Sequence, residues 1–322
     1  MPPTAATTRR IVRSPAREAC SLLPHEPGVY RFRDERDRVM YVGRASDLRS
    51  RTRSYWGDLH GRRHLRHMVG QIARVEALVC QSVHEAAWLE RNLLTRSLAR
   101  WNRTRGGQEV PVWFVLDPGP RAPSLSLSYG PPPDPELGFG PYLGSTRARL
   151  ARSGALRAWP VHLTGTHLDA GTRSIGEARG VDPSQRAAVI AGLVGLLRGV
   201  EDDVAATRAR LVESRSRAAA QLGYEVAGQI QEELAALEWS VAPQTVAGCT
   251  PPDLRVAAWH DGLLLTLRAR DGFVDVWRTR DCPARQGAQL IAATPPGWQQ
   301  FADRNVRLLV ALRDAQAGAN RA

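Results

Sequence analysis

The chain has 322 residues, enough for about two or three domains on the usual prior of roughly 100–200 residues each. Its 44 basic residues are all arginine, set against 32 acidic ones for a formal net charge of +12, so lysine Schiff-base chemistry and a lysine general base are excluded. Residues 1–110 carry 21 Arg against 11 Asp and Glu, whereas 111–322 carry 23 against 21; an N-terminal third this basic points to a polyanion, most economically nucleic-acid phosphate.

Residues 28–33 and 39–43 are short β-rich runs either side of the polar turn Asp34-Glu35-Arg36-Asp37, the pattern of a hairpin on which Tyr30 and Tyr41 can face one side. Ser46 predicts an N-cap for a helix from Asp47 to about Ser54, and a second helix is expected from about His64 to Ile72. Arg74 to Cys80 reads as a third strand. Ser82 and Glu85 form a capping box that opens a helix with apolar Trp88, Leu89, Leu93 and Leu94. The expected order is ββααβα, an α+β domain over 15–105. Pro118 to Pro135 is rich in proline, glycine and serine and reads as irregular connection or loosely ordered strands within a segment 106–180. Residues 184–239 are expected to be helical, inside a region 181–245. Leu254–Arg280, broken at His260-Asp261-Gly262 and Asp271-Gly272, reads as a small antiparallel meander, followed by an amphipathic helix from Gln299 to Ala315; the two form a segment 250–322.

Cys20, Cys80, Cys249 and Cys282 are too scattered for a CxxC-type metal site or a disulfide framework. No apolar signal core opens the chain and no run of 18 apolar residues occurs in it, so the expected compartment is the cytoplasm, with no membrane partner.

Leu23-Pro24, Pro27-Gly28-Val29-Tyr30, Tyr41-Val42-Gly43-Arg44-Ala45, Asp47-Leu48-Arg49-Ser50-Arg51, Leu89-Glu90 and Asn102 occur in one order over about 80 residues. Together they resemble the GIY-YIG nuclease domain of the excision-repair proteins UvrC and Cho. Phosphodiester hydrolysis needs an activated water, stabilised phosphoryl oxygens and help for the leaving alkoxide, and a tyrosine pair, arginines and a carboxylate can supply them. The resemblance implies that Tyr41 takes or relays the proton of the attacking water, with Tyr30 as its hydrogen-bonding partner and Arg51 as the donor to the non-bridging oxygens. It makes Glu90 the sole protein ligand of one Mg²⁺ or Mn²⁺ and puts Arg44, Arg49, Tyr55 and Asn102 at substrate-contacting or bracing positions. Arg44 stands where these proteins usually have lysine; an arginine binds phosphate but cannot serve as a base. Trp101 stands where tyrosine is common. His60, His64, His67 and His84 are read as having no functional role; His64 and His67, three apart on the expected helix, could ligate a metal but in this arginine-rich setting are read as facing solvent or DNA.

Phe139-Gly140-Pro141-Tyr142 resembles the element that follows this nuclease domain, and 211–239 resembles the helical hairpin through which UvrC engages UvrB. Leu222, Tyr224, Glu225, Ile230 and Leu234 fall on its apolar and acidic positions, with Gln231-Glu232 in place of the usual Arg-Asp. Because no cysteine cluster precedes the hairpin, no iron–sulfur cluster is expected. Because the chain ends at Ala322, neither the second nuclease nor the tandem DNA-binding unit of full UvrC is expected. The resemblance therefore implies a damage- or structure-directed DNA endonuclease of nucleotide excision repair that cuts on the 3′ side. A chain that keeps the fold as a DNA- or UvrB-binding module without turnover remains the alternative at this stage.

Overall fold

The structure is a computed structural model that describes residues 14–57, 65–107, 109–134, 136–242, 253–270 and 273–319. In chain order its elements are α1 (Pro15–Ala19), β1 (Gly28–Arg33), β2 (Val39–Ala45), α2 (Leu48–Arg53), α3 (Arg66–Val69), β3 (Arg74–Val79) and α4 (Val83–Arg96). There follow β4 (Pro111–Asp117), β5 (Ser124–Ser128), β6 (Gly138–Leu143), α5 (Ser145–Ala158), α6 (Ala170–Ala178), α7 (Arg186–Leu197), α8 (Glu201–Ala220) and α9 (Tyr224–Ser240). The last are β7 (Asp253–His260), β8 (Leu263–Arg270), β9 (Phe273–Asp281), α10 (Ala284–Ile291) and α11 (Pro296–Ala319). The class is α+β, as expected. The chain divides into one unit of Met1–Cys80, Leu89–Gly107 and Thr250–Ala322 and another of Gln81–Trp88 and Gln108–Cys249.

In the first unit the expected ββααβα order appears, with α1 added in front. β1 is the middle strand of an antiparallel sheet ordered β2-β1-β3. Its turn to β2 is set by Asp34, whose carboxylate accepts from the backbone N–H groups of Arg36 and Arg38 at 3.0 and 2.9 Å and lets the chain reverse tightly. Register puts Phe32 opposite Tyr41 and Tyr30 opposite Gly43, so these side chains share one face. Tyr30, Phe32, Leu48, Tyr55, Met68 and Leu312 of α11 meet in one buried cluster.

The opposite face of β1 is charged and still buried. Glu76 on β3 accepts from Arg31 at 2.5 Å, Arg33 at 2.6 Å and the Thr279 hydroxyl at 2.6 Å. Arg31 also donates to the Trp277 carbonyl at 2.6 Å, its guanidinium carbon 3.8 Å from the Trp277 ring centroid. β9 thus covers this face, while α11 lies along β3. The outer edge of β3 is closed by two side-chain amides: Asn305 pairs with both the N–H and the carbonyl of Val79, and Gln316 does the same at Val75. Asn102 performs the same service for Val42 on β2, at 2.9 and 2.8 Å. Edge strands left open would pair with other chains; here each outer edge carries amide caps.

Several boundaries differ from expectation. The cap of α2 is Asp47, not Ser46: its carboxylate accepts from the Ser50 N–H at 2.8 Å and is within 2.7 Å of His25 Nδ1, a stronger set of partners than a serine hydroxyl would find. The second expected helix is α helix over only Arg66–Val69, with His64 outside the described residues. The capping box opens α4 with Ser82 accepting from the Glu85 N–H at 3.0 Å, but Glu85 reaches back to the N–H of Gln81, at 2.6 Å. The last helix extends to Pro296–Ala319, beyond Gln299–Ala315 at both ends. The meander is the three-stranded sheet β7-β8-β9; its Asp271-Gly272 turn lies outside the described residues, as do His60 and Cys249.

The second unit holds an antiparallel sheet ordered β5-β4-β6. β5, inside the stretch read as irregular connection or loosely ordered strands, alternates as Ser-Leu-Ser-Leu-Ser and buries Leu125, the period of a half-buried strand. α5 carries Ala148, Ala151, Gly154 and Ala155 on its buried side, and a Cβ on Gly154 would lie 2.9 Å from Leu237 of α9. These small residues let the two helices approach closely. Arg157 pairs with buried Glu233 at 2.7 Å. His84 is fully buried too, 5.3 Å from the Tyr142 ring, a core residue among stacked aromatic rings; the expectation of facing solvent or DNA belongs to His64 and His67. Exposed His67 conforms to that expectation. Among the described residues no helix is long and apolar enough to cross a membrane.

Candidate active site

The sheet face of β1 and β2 and the two faces of α2 decide where each predicted residue goes. Tyr30, Tyr41 and Tyr55 form a triangle with ring centroids 6.2, 6.0 and 5.9 Å apart, and the phenol oxygens of Tyr30 and Tyr55 are 2.7 Å apart. The glycine between the second tyrosine and Arg44 has a steric reason. A Cβ on Gly43 would sit 2.6 Å from the Tyr30 hydroxyl and 2.8 Å from the Tyr41 ring, so any side chain there would push the phenols apart.

Arg51, half-buried, points from α2 into this triangle with its guanidinium carbon 5.6 Å from the Tyr55 ring centroid. Burial pulls its pKa down, and the phenols of Tyr30, Tyr55 and Tyr41 more than reverse that, leaving it raised. Burial, reinforced by its two neighbours, holds the Tyr30 phenol well above the ordinary tyrosine value. Tyr41 is raised for the same first reason, then by Tyr55, with the negative charge of Glu90 adding to it. At neutral pH these phenols are therefore protonated donors. Glu90, on α4, is 3.3 Å from Arg44 Nε of β2.

Two predicted residues stand apart from the triangle. Arg49 lies on the other side of α2 from Arg51, donating its Nε–H to the Leu23 carbonyl at 2.6 Å. Asn102 braces the β2 edge, as described above. In the second unit Leu222 and Tyr224, 73% and 68% exposed, sit at the tip of the α8–α9 hairpin with exposed Glu225, whereas Ile230 and Leu234 are buried in that unit's core. Exposed Val226 extends the tip and was absent from the sequence reading. Arg17 and Arg53 lie with Arg49 on the wall of a groove at the back of α2; single arginines in an arginine-rich chain carry no local signal.

Glu90 offers one carboxylate, ion-paired with Arg44; a hard cation of the Mg²⁺ kind takes one or two protein carboxylates and keeps its waters for the rest. Among the described residues no group of three or more His, Cys, Asp or Glu could hold a metal, which argues against a dedicated protein cage and not against a single-carboxylate site.

Residues 26–103 match the family model described as the UvrC-like GIY-YIG domain. The chain is similar to the UvrABC system protein C of Mycobacterium tuberculosis (strain ATCC 25618 / H37Rv), 31% identical over 262 residues, which is 76% of this chain and 40% of that protein. That of Mycobacterium leprae (strain Br4923) is 32% identical over 264 residues, 76% and 39%. That of Chlorobium luteolum is 29% identical over 262 residues, 76% and 41%. The chain thus spans about two fifths of the length of these curated relatives.

Proposed function

We propose, for a chain that carries a UvrC-like GIY-YIG domain over residues 26–103, a DNA endonuclease of nucleotide excision repair that hydrolyses a phosphodiester on the 3′ side of a lesion. The observation that carries this reading is the convergence of three tyrosines and Arg51 on one sheet face beside the Glu90 carboxylate. A core needs no half-buried arginine aimed at phenols, whereas a phosphoryl transition state needs that fork.

In the reaction, water attacks phosphorus, the bond to the leaving oxygen breaks, and a proton passes from the water to solvent while the departing alkoxide gains one. Tyr41 orients the water and takes its proton as phenolate, or as neutral phenol releases its own proton to solvent while taking that of the water; Tyr30 holds the network in place from beneath. Arg51 donates to the non-bridging oxygens as charge builds on them. Arg44 holds a neighbouring phosphate when DNA draws it from Glu90. Glu90 would hold the divalent cation, Mg²⁺ or Mn²⁺, which when bound supplies Lewis-acid polarisation of the phosphate and charge relief at the leaving oxygen. UvrB is the proposed partner, met by the exposed tip of Leu222, Tyr224 and Glu225; Ile230 and Leu234 support that tip from inside.

The second reading, a DNA- or UvrB-binding module without turnover, draws on the Arg44–Glu90 ion pair, which occupies the carboxylate a metal would need. Incision of a lesion duplex labelled at either end, with and without UvrB and Mg²⁺, separates the two. The nuclease reading expects a 3′-side nick in Mg²⁺ that Glu90→Gln abolishes while DNA affinity is kept. Tight binding with no nick under any condition favours the module.

A further inference from the structure

The back of α2 carries a second cationic groove that neither the tyrosine triangle nor the catalytic reading uses. Arg49 and Arg53 are four residues apart on one face of this helix, and Arg51 lies on the opposite face. With Arg17 of α1 they line a groove of about 660 Å³ that also presents the half-buried indole of Trp56. Neither Arg17 nor Arg53 has a side-chain hydrogen bond or ion pair among the described residues. Among the described residues Glu18 is the one carboxylate on the wall; neighbouring Asp47 is engaged by the Ser50 N–H and His25. Three guanidiniums sharing one groove repel one another unless an anion lies between them.

We propose that this groove binds the phosphodiester backbone of the DNA at a phosphate other than the scissile one. Arginine forks suit phosphate oxygens, and the Trp56 indole offers a flat surface to the adjoining sugar or base. A helix with its side chains is about 10 Å across, and a DNA strand rises about 3.4 Å per nucleotide. For a duplex whose axis runs along the line across α2, the groove phosphate lies about three nucleotides from the one held by Arg51, and α2 acts as a rail that sets where the cut falls.

The inference rests on the nuclease reading for the position of the scissile phosphate, but its test reads binding first. The full chain is titrated with a labelled lesion duplex over a range of salt, as wild type, Arg17→Ala/Arg53→Ala and Arg17→Lys/Arg53→Lys. Loss of two phosphate contacts is expected to flatten the log–log salt slope by about 1.8 and to weaken Kd at least about tenfold, more than the rate at saturating DNA falls. The lysine pair should keep most of the slope, and it keeps the test valid if the alanine pair is unstable. Duplexes with a single neutral methylphosphonate at successive positions should cost the wild type affinity about three nucleotides from the cut, and the alanine pair nothing there. Competition by inorganic phosphate or dTMP at fixed ionic strength, as strong as that by duplex, would assign the groove to free anions and overturn the proposal. An unchanged slope in the alanine pair would overturn it too. A wild type that binds with the expected slope yet never nicks would refute the nuclease reading and leave the groove standing.

Discussion

A phenol walled in by two others beside an arginine is a weak acid at rest, and that fixes what Tyr41 can do. Burial raises its pKa first, then Tyr55 and Glu90, so below that pKa the ionised fraction grows tenfold per pH unit. If Tyr41 takes the proton of water as phenolate, the single-turnover rate should climb through the alkaline range with a log slope near 1, and Tyr41→Phe should flatten the climb as well as lower the rate. A plateau across neutral and mildly alkaline pH would mean that the neutral phenol only orients the water. Arg51→Lys keeps the charge and loses the fork, so the rate should fall at least about tenfold, or about 1.4 kcal/mol; a smaller loss in single-turnover nicking would make Arg51 a peripheral phosphate contact. The residues of the triangle were legible because several separated motifs had to coincide in order. Arg49 was assigned to the same substrate surface, yet two positions along a helix reverse the direction a side chain points, which motif matching does not register.

At the scale of elements, what the sequence showed and what it hid divide along local and distant partners. Short β-rich runs broken by polar turn residues exposed the β1–β2 hairpin and the β7–β9 meander, since a reversing chain marks its turns locally. The choice of Asp47 over Ser46 as cap was hidden, because adjacent residues were both competent and the decision came from His25, 22 positions away. Asn305 and Gln316 were hidden as well: a lone amide on a helix has no pattern, and their partners on β3 lie 226 and 241 residues away in sequence. These amides are the only hydrogen-bonding partners shown for the outward N–H groups of Val79 and Val75 among the described residues. Asn305→Ala should therefore cost about 1–3 kcal/mol in urea unfolding, as a buried backbone donor and acceptor lose their partner. Asn305→Asp should recover only part, since a carboxylate can accept from the Val79 N–H but cannot donate to its carbonyl. Equal stability of all three proteins would mean that water replaces the amide at no cost and that the edge is open.

For the molecule as a whole, the decisive event is the return of Asp253–Ala319 to the sheet formed by Gly28–Val79. Read locally, arginines and a glutamate on strands mark a solvated face, and nothing in the meander names the surface it covers. In the folded unit Arg31 is 5% and Glu76 8% exposed; the Trp277 carbonyl accepts from Arg31 and the Thr279 hydroxyl donates to Glu76. Burial alone would raise the Glu76 carboxyl, but Arg31 and Arg33 overcome it and hold the pKa down at about 2. A carboxyl depressed in the folded state contributes stability that is fully present above its ordinary pKa, about 4.5, and is lost as pH falls toward 2. Acid should therefore loosen the C-terminal segment from the sheet inside that window. Glu76→Gln should be destabilised at neutral pH by about 3–5 kcal/mol, because Arg31 is left as an unpaired buried charge, and its stability should no longer fall with the Glu76 titration. Urea unfolding followed by tryptophan fluorescence at several pH values reads both effects. If wild type and Glu76→Gln lose stability in parallel from neutral pH down to pH 2, the ion cluster does not join the two ends of the chain, and apolar contacts of Leu312 and its neighbours on α11 must hold them instead.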